Sequence, residues 1–179
     1  MDNLHNLTFF DIYEKNALYN GKSCALHWKG METNYADLFN QTSRFANGLR
    51  NQDLKAGTRV AVLCKNHPVF FHLFGAASAL NLVLVLINRR LSQDEISHII
   101  EDTTPALIFA DKEMEDQANS LASSFSCLKQ SYVVDEEDKN FSNLYRTSPL
   151  KACEPSSSID PFLIIHTAAM LGKPRGAVL

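Results

Sequence analysis

The sequence has no excess of basic residues and few cysteines. Its 17 lysines and arginines are outnumbered by 20 aspartates and glutamates, which gives a formal net charge of −3. The basic residues are scattered, so we expect no nucleic-acid partner. The four cysteines are Cys24, Cys64, Cys127 and Cys153. They form no Cys-x-x-Cys pair and have no histidine at metal-ligand spacing, so we expect reduced thiols without a zinc site or disulfide framework.

The sequence also lacks the features of a secretory signal, because its first residues are polar and acidic. We therefore expect a cytoplasmic protein. One uncharged stretch, residues 69–87, approaches the length of about 20 residues that crosses a bilayer. Its character changes at Asn81 from Phe and Ala to alternating Leu and Val, which is typical of a buried helix followed by a buried strand. We therefore expect no transmembrane segment.

Short β-rich runs alternate with longer segments of helical periodicity. This alternation predicts an α/β fold with a mostly parallel β-sheet flanked by helices. The predicted strands are residues 59–64, 82–87, 106–110, 131–134 and 162–166. Their continuous apolar character indicates strands that are buried on both faces. An earlier strand, residues 23–29, turns at residues 30–32 and is expected at a sheet edge.

Helical periodicity marks five segments. The predicted helices cover residues 7–19, 34–51, 68–80 and 113–125, and a further helix begins at Ser92. Ser92 and Glu95 match a capping box, with Leu91 and Ile96 placed as the hydrophobic staple. The start of this helix is therefore strongly specified by local sequence.

The composition changes between residues 147 and 160, where Pro and Ser replace periodic apolar residues. This change is typical of an exposed connection. We therefore expect an α/β unit at residues 1–146, a Pro/Ser-rich connection at 147–160, and a final strand with its following turn at 161–179. The acidic run at residues 135–138 fits a solvated loop, so we assign no metal ligand.

The turn after the last predicted strand carries the chemistry that the sequence suggests. The candidate binding residues are Thr167, Gly172, Lys173, Arg175 and Gly176. The glycines let backbone N–H groups approach an anion, the two cations supply positive charge, and the threonine offers a hydroxyl. The ordinary P-loop pattern is not met, because Thr167 stands at its first glycine position and Pro174 follows the lysine. Taken alone, the segment favours a basic surface turn slightly over a nucleotide site.

Further residues match one family in order along the chain. In the turn region these are Asp160, Thr167, Gly172, Lys173, Pro174 and Gly176, with Arg175 where that family has lysine. Upstream they are Tyr35, Leu38, Ala46-Asn47-Gly48-Leu49, Gly57-Thr58-Arg59-Val60-Ala61-Val62, Asn66-His67-Pro68, Asn88-Arg89-Arg90-Leu91, Glu95 and Ile96. From about Asn16 onward, the chain resembles the adenylate-forming, AMP-forming acyl-CoA synthetases. Their usual turn reads Tyr-Thr-Ser-Gly-Thr-Thr-Gly-Lys-Pro-Lys-Gly.

The turn departs from that family pattern at several positions. Residues 168–171 are Ala-Ala-Met-Leu, which removes the hydroxyl donors of Ser-Gly-Thr-Thr. Backbone amides, Lys173 and Arg175 would then carry more of the phosphate binding. His166 replaces the usual tyrosine, and we interpret it as a packing or hydrogen-bonding residue at the strand end rather than a base.

The resemblance implies that the complete protein uses ATP, Mg²⁺ and CoA to activate a carboxylic acid, with fatty acid as the family-level expectation. It also implies that the adenine-binding motif, the ribose-binding aspartate and the catalytic lysine lie further along than this sequence. No catalytic residue is therefore named, and the chain is expected to be an inactive N-terminal fragment of an incomplete adenylate-forming fold.

The sequence stops within an apolar run, Ala177-Val178-Leu179. We interpret this as a sign of truncation that would favour self-association, for example as a homodimer. The alternative is a non-catalytic α/β module whose degenerate phosphate loop acts in partner binding or self-association.

Overall fold

A computed structural model describes residues 7–157, 159–166 and 174–179. Its helices are α1 (Phe9–Asn20), α2 (Tyr35–Arg50), α3 (Val69–Leu80), α4 (Gln93–Thr103), α5 (Glu115–Ser124) and α6 (Lys139–Asn143), with a 3₁₀ turn at Lys112–Met114. Its strands are β1 (Cys24–Trp28), β2 (Met31–Asn34), β3 (Arg59–Leu63), β4 (Val83–Leu86), β5 (Leu107–Ala110), β6 (Gln130–Val133), β7 (Leu163–His166) and β8 (Gly176–Val178). The five strands predicted for the main sheet are confirmed to within one residue at each end.

The chain divides into two compact units that interleave in sequence. The first comprises Met1–Ala56, His67–Asn81 and Asn143–Asp160. The second comprises Gly57–Asn66, Leu82–Ser142 and Pro161–Leu179.

The second unit is built on a six-stranded sheet with the order β6-β5-β3-β4-β7-β8. All neighbouring strands are parallel except β7 and β8, which pair antiparallel. The predicted α/β fold with a mostly parallel sheet is therefore confirmed. Every residue of β5 is buried, as its continuous apolar run indicated. The same expectation is wrong for β7, where no residue is fully buried and Ile165 is 41% exposed.

Helices α4 and α5 cover one face of this sheet. The buried residues of this core are Ala61, Leu63, Val85, Ile87, Ile96, Ile99, Ile100, Ile108, Ala110, Ala118, Leu121 and Leu128. Burying one isoleucine side chain contributes about 2 kcal/mol, so the three isoleucines of α4 largely fix its position. The predicted capping box is confirmed, because Ser92 Oγ accepts from Glu95 N and Glu95 Oε2 accepts from Ser92 N. Leu91 packs against the same core as Ile96, as the staple requires.

The first unit combines α1, α2 and α3 with the β1–β2 hairpin. Strand β1 pairs antiparallel with β2 in a separate two-stranded sheet, so it is an edge strand, as expected for residues 23–29, and does not belong to the main sheet. Lys29 and Gly30 have φ values of 49° and 82° and connect Trp28 directly to its partner Met31. Two consecutive residues of positive φ make the tight turn that closes a hairpin, so the strand returns on itself.

The uncharged stretch at residues 69–87 forms helix α3 and strand β4, as predicted from its change of character. Asn81 ends α3 with a φ of 50°, a left-handed conformation that asparagine adopts more readily than most residues. Within the part of the chain that the structure describes, no helix combines the length and apolarity needed to cross a bilayer.

The Pro/Ser-rich connection is held to the first unit by hydrogen bonds, although most of its side chains are exposed. Arg44 Nη1 donates to the carbonyl of Thr147 over 2.7 Å. Glu154 N donates to the carbonyl of Ala79 over 2.7 Å. These bonds satisfy backbone groups of the connection and fix its path along α2 and α3.

His72 of α3 is buried within the first unit. Its Nδ1 lies 2.7 Å from the hydroxyl of Tyr145, and its ring also packs near Phe45. Burial, together with the charge of His67, lowers the pKa of His72 from 6.5 to about 4. The neutral ring is therefore the form that the folded protein holds.

The His72 environment makes stability depend on pH. The unfolded chain binds the extra proton below pH 6.5, whereas the folded chain resists it until about pH 4. Stability is therefore fully present above pH 6.5 and is lost as the pH falls, by about 2 kcal/mol at pH 5. We expect urea unfolding to show this loss of stability as the pH falls. In His72→Phe the loss should be absent. A control variant at the exposed His27, His27→Gln, should keep the wild-type dependence of the unfolding free energy on pH. The same dependence in His72→Phe would contradict the assignment of the effect to His72.

Candidate functional site

The candidate turn lies between β7 and β8, where His166 pairs with Gly176. Thr167, Gly172 and Lys173 fall outside the described residues, so their proposed roles stay predictions. Arg175 is exposed, and Gly176 is the first residue of β8. The structure therefore fixes the two strands that flank the turn.

His166 ends β7 with a side chain that is only 2% exposed. Its Nε2 lies 3.6 Å from Oδ2 of Asp102 in α4. Neither ring nitrogen has a hydrogen-bond partner within the described ranges. The ring is thus buried at the strand end, as the packing interpretation predicted.

Gly176 lies close to this ring and to Ile164. A Cβ added at Gly176 would lie 3.1 Å from His166 Nε2 and 3.0 Å from Ile164 Cγ2. Gly176 is not among the glycines with positive φ, which in the described residues are Gly30 and Gly57. Its lack of a side chain therefore makes room for the neighbouring strand, and the backbone conformation itself does not require glycine.

A polar network lies at the edge of the sheet from which the turn emerges. Since β3, β4, β5 and β7 are parallel, their carboxyl ends share that edge. Asp111, just after β5, accepts from the backbone N of Lys65 over 2.8 Å and from Arg89 over 3.3 Å. Glu113 accepts from the side chains of both Lys65 and Arg89. Ligands of open α/β sheets bind at this edge, so the network lies where a site is expected.

The network is electrically balanced. Hydrogen bonds from Lys65 and then Arg89 lower the pKa of Glu113 to about 2. Burial, together with the charge of Asp111, raises the pKa of Cys64 to about 12. Cys64 is therefore a protonated, unreactive thiol, and both cations of the network are engaged by carboxylates.

Arg89 belongs to a motif that matches the family, and the sequence alone does not identify its partner. The available signal was the placement of charged residues directly after predicted strands, which brings Lys65, Arg89 and Asp111 to one edge of a parallel sheet. The acidic run is different, because Asp135 Oδ1 and Asp138 Oδ1 accept from nearby backbone N–H groups. No group of three or more His, Cys, Asp or Glu residues suited to a metal occurs in residues 7–157, 159–166 and 174–179.

Comparison with known sequences gives one family across nearly the whole chain. The family model for AMP-binding enzymes matches residues 13–179. A feruloyl-CoA synthase from Amycolatopsis sp. is 28% identical over 155 residues, covering 87% of this chain and 30% of that protein. A fatty acid–[acyl-carrier-protein] ligase, ScoC, from Streptomyces coeruleorubidus is 27% identical over 194 residues, covering 100% of this chain and 34% of that protein. The chain thus spans about a third of the length of these relatives.

Comparison with solved structures gives the same fold. A protein from Rhodopseudomonas palustris CGA009, described as a long-chain-fatty-acid CoA ligase, superposes with a TM-score of 0.89 and is 30% identical. The match covers 99% of this chain and 45% of that one.

Proposed function

Because the chain belongs to the AMP-binding enzyme family, we propose that it forms the amino-terminal part of an ATP-dependent carboxylate–CoA ligase. The observation that carries this proposal is the family match over residues 13–179, which includes the candidate turn. Of the two relatives described above, one is named as a feruloyl-CoA synthase and the other as a fatty acid–[acyl-carrier-protein] ligase, which supports this reaction class.

The proposed reaction has two steps. A carboxylate oxygen attacks the α-phosphorus of ATP, pyrophosphate leaves, and an acyl-adenylate forms. The CoA thiol then attacks the acyl carbon, and AMP leaves. In both steps, fixed positive charge and oriented N–H groups stabilise the developing negative charge.

In this proposal the turn binds the β- and γ-phosphates of ATP. Lys173 and Arg175 neutralise their charge, the hydroxyl of Thr167 donates a hydrogen bond, and the backbone at Gly172 and Gly176 gives close approach. The absence of hydroxyls at residues 168–171 leaves backbone amides to make the remaining contacts. Mg²⁺ is proposed to arrive with the phosphates and to shield their charge.

The remaining parts of the proposal concern the whole protein. We propose a fatty acid as the substrate, which is supported by the likeness to a protein described as a long-chain-fatty-acid CoA ligase. We further propose a cytoplasmic location, the division at residues 146 and 160, and a possible homodimer. The 179-residue chain by itself is expected to show no turnover and at most weak ATP binding.

A second candidate function is a non-catalytic α/β module that binds a partner. The Ala-Ala-Met-Leu sequence at residues 168–171 favours it, because these side chains donate no hydrogen bonds to phosphate.

An activity assay of the protein that carries this chain separates the two functions. We expect pyrophosphate release that requires both ATP and a carboxylic acid, measured with medium- and long-chain fatty acids and with ferulate. Adding CoA should give a thioester, and acyl carrier protein serves as the competing acceptor. Reactions without acid are the control. No pyrophosphate release with any acid would favour the non-catalytic module.

A further inference from the structure

Helix α1 carries apolar side chains on two sides. Its inner side packs within the first unit, where Phe10 is buried against Phe39. Its outer side presents Phe9, Ile12 and Tyr19, which are all exposed. A surface helix of a globular protein normally turns one apolar stripe to the core and a polar face to water. Helix α1 therefore has a second apolar side that the described part of the chain leaves exposed.

The outer residues of α1 follow the spacing of a helix-pairing seam. The stripe consists of Phe9, Ile12, Asn16 and Tyr19. Steps of three, four and three residues are the alternation of a and d positions in a heptad, which places all four on one side of the helix. The three charged residues of α1, at positions 11, 14 and 15, lie off the stripe. The amide of Asn16 is satisfied locally, because its Nδ2 donates to the carbonyl of Ile12 over 2.9 Å.

The stripe continues onto exposed side chains of α3. Phe9 stacks on Phe74, with ring centroids 5.8 Å apart, and Phe71 lies one turn before Phe74 on the same side of α3. Phe9, Phe71 and Tyr19 are 44%, 41% and 77% exposed. At about 200 Å² for a whole aromatic side chain, these three expose roughly 320 Å². An apolar patch of this size on a soluble monomer is often functional.

The exposed area suits an interface of modest size. Leu7 and Ile12, at the N′ and N4 positions that lie together at a helix start, raise the apolar area to roughly 400 Å². Since about 60% of an interface is apolar, this patch corresponds to roughly 650 Å² buried by each partner. Standard specific interfaces bury about 800 Å² per partner, and weak ones bury about 600 Å² or less. The area fits a dimer that exchanges with its monomer.

The stripe is complementary to a second copy of itself. When two α1 helices lie antiparallel, the numbers of facing residues have a constant sum, and a sum of 28 is the one value that pairs all four stripe positions. Phe9 then faces Tyr19 of the second copy, and Ile12 faces Asn16 of the second copy. Aromatic side chains meet at both ends of the seam, and no charge is buried.

A lipid surface fits the stripe less well than a second copy does. Helices that lie on membranes carry a basic polar face. Helix α1 has two acidic residues and one lysine, so its polar side does not attract anionic lipid.

We propose that the protein forms a two-fold symmetric homodimer through the α1 stripe, with the two helices antiparallel. This inference rests on the homodimer proposed above, to which it gives a surface, and on no step of the ligase reaction. The contact is isologous, because the same stripe serves both copies.

Sedimentation equilibrium of the protein that carries this chain tests the interface. We expect a monomer–dimer equilibrium at micromolar concentrations. Tyr19→Glu should raise its Kd at least about 10-fold, because each dimer would bury two unpaired carboxylates. The matched control is Leu18→Glu, since Leu18 is 73% exposed on the same helix but lies about 100° around it from Tyr19, off the stripe. This control adds the same charge and should leave Kd within about twofold of wild type.

A second set of variants tests the antiparallel pairing. Ile12→Lys alone and Asn16→Glu alone should each raise Kd at least about 10-fold. Combined in one chain, they place a lysine opposite a glutamate twice per dimer, so Kd should fall at least about fivefold from that of either single variant. Ile12→Lys combined with Leu18→Glu has the same net charge and should show no recovery. Absence of recovery in Ile12→Lys with Asn16→Glu would overturn the antiparallel pairing.

The outcomes separate this inference from the ligase reaction. A protein that stays monomeric at about 200 μM would overturn both the interface and the homodimer, whatever its pyrophosphate release. A dimer that Tyr19→Glu and Leu18→Glu weaken equally, or not at all, would overturn the α1 interface and leave a homodimer with another surface. A monomer that binds phosphatidylcholine vesicles, and loses this binding in Tyr19→Glu but not in Leu18→Glu, would overturn the dimer and assign the stripe to lipid.

Discussion

Replacing Lys173 and Arg175 together by alanine is expected to lower kcat/KM for ATP at least about 100-fold in the ligase that carries this chain. Each cation is proposed to make charge-assisted hydrogen bonds to the β- or γ-phosphate, and such bonds contribute about 1.5–3 kcal/mol each. Their combined loss of about 3 kcal/mol or more corresponds to at least two factors of ten. Steady-state pyrophosphate release with varied ATP measures the change.

A matched control removes two positive charges elsewhere. Lys22 and Lys151 are both exposed, and neither belongs to the candidate turn. Lys22→Ala with Lys151→Ala should therefore leave kcat/KM within about twofold of wild type, which excludes a general effect of net charge. If the double variant at the turn behaves like this control, the turn does not bind ATP.

Changing Gly48 to alanine is expected to destabilise the first unit by about 3 kcal/mol or more. A Cβ at Gly48 would lie 2.2 Å from the carbonyl oxygen of Leu144 and 2.8 Å from its Cα. The obstacle is backbone, which cannot rotate away, so α2 and residue 144 would have to separate. At an unobstructed helix position the same change stabilises by about 0.5–1 kcal/mol. The sign of the measured change therefore shows whether the backbone of Leu144 obstructs a side chain at residue 48.

Urea unfolding of Gly48→Ala against wild type measures this cost. The control is Gln41→Ala at an exposed position of the same helix, where a change within about 0.5 kcal/mol is expected. A Gly48→Ala variant as stable as wild type would show that Leu144 does not pack against α2 in this way. The short distance also gives a physical reason for the glycine in the matching motif at residues 46–49. Gly48 allows the backbone of Leu144 to lie close to α2.

The elements that local sequence encodes were predicted well. Strands β4 and β5 are continuous apolar runs, and such runs need no knowledge of partners to be recognised. The helix that begins at Ser92 is encoded by a capping box within four residues. The turn after Trp28 was also expected near Gly30, but the sequence did not show that β1 and β2 form a sheet of their own.

The contacts around the candidate site depend on the order of strands in the sheet, which the sequence does not display. Arg89 and Asp111 are 22 residues apart and meet because β4 and β5 flank β3. The contact of His166 with Gly176 requires the antiparallel pairing of β7 and β8. From the sequence, Gly176 is expected only to let phosphate approach the backbone, since nothing in its neighbours along the chain indicates a buried ring.

The most direct test of the account is calorimetric titration of the protein that carries this chain with MgATP and, separately, with AMP. The central claim is that the turn holds the β- and γ-phosphates. We predict that Lys173→Ala with Arg175→Ala weakens MgATP binding about 100-fold while AMP binds as in wild type. MgATP affinity unchanged by the double substitution, or an equal loss for both nucleotides, would contradict the claim.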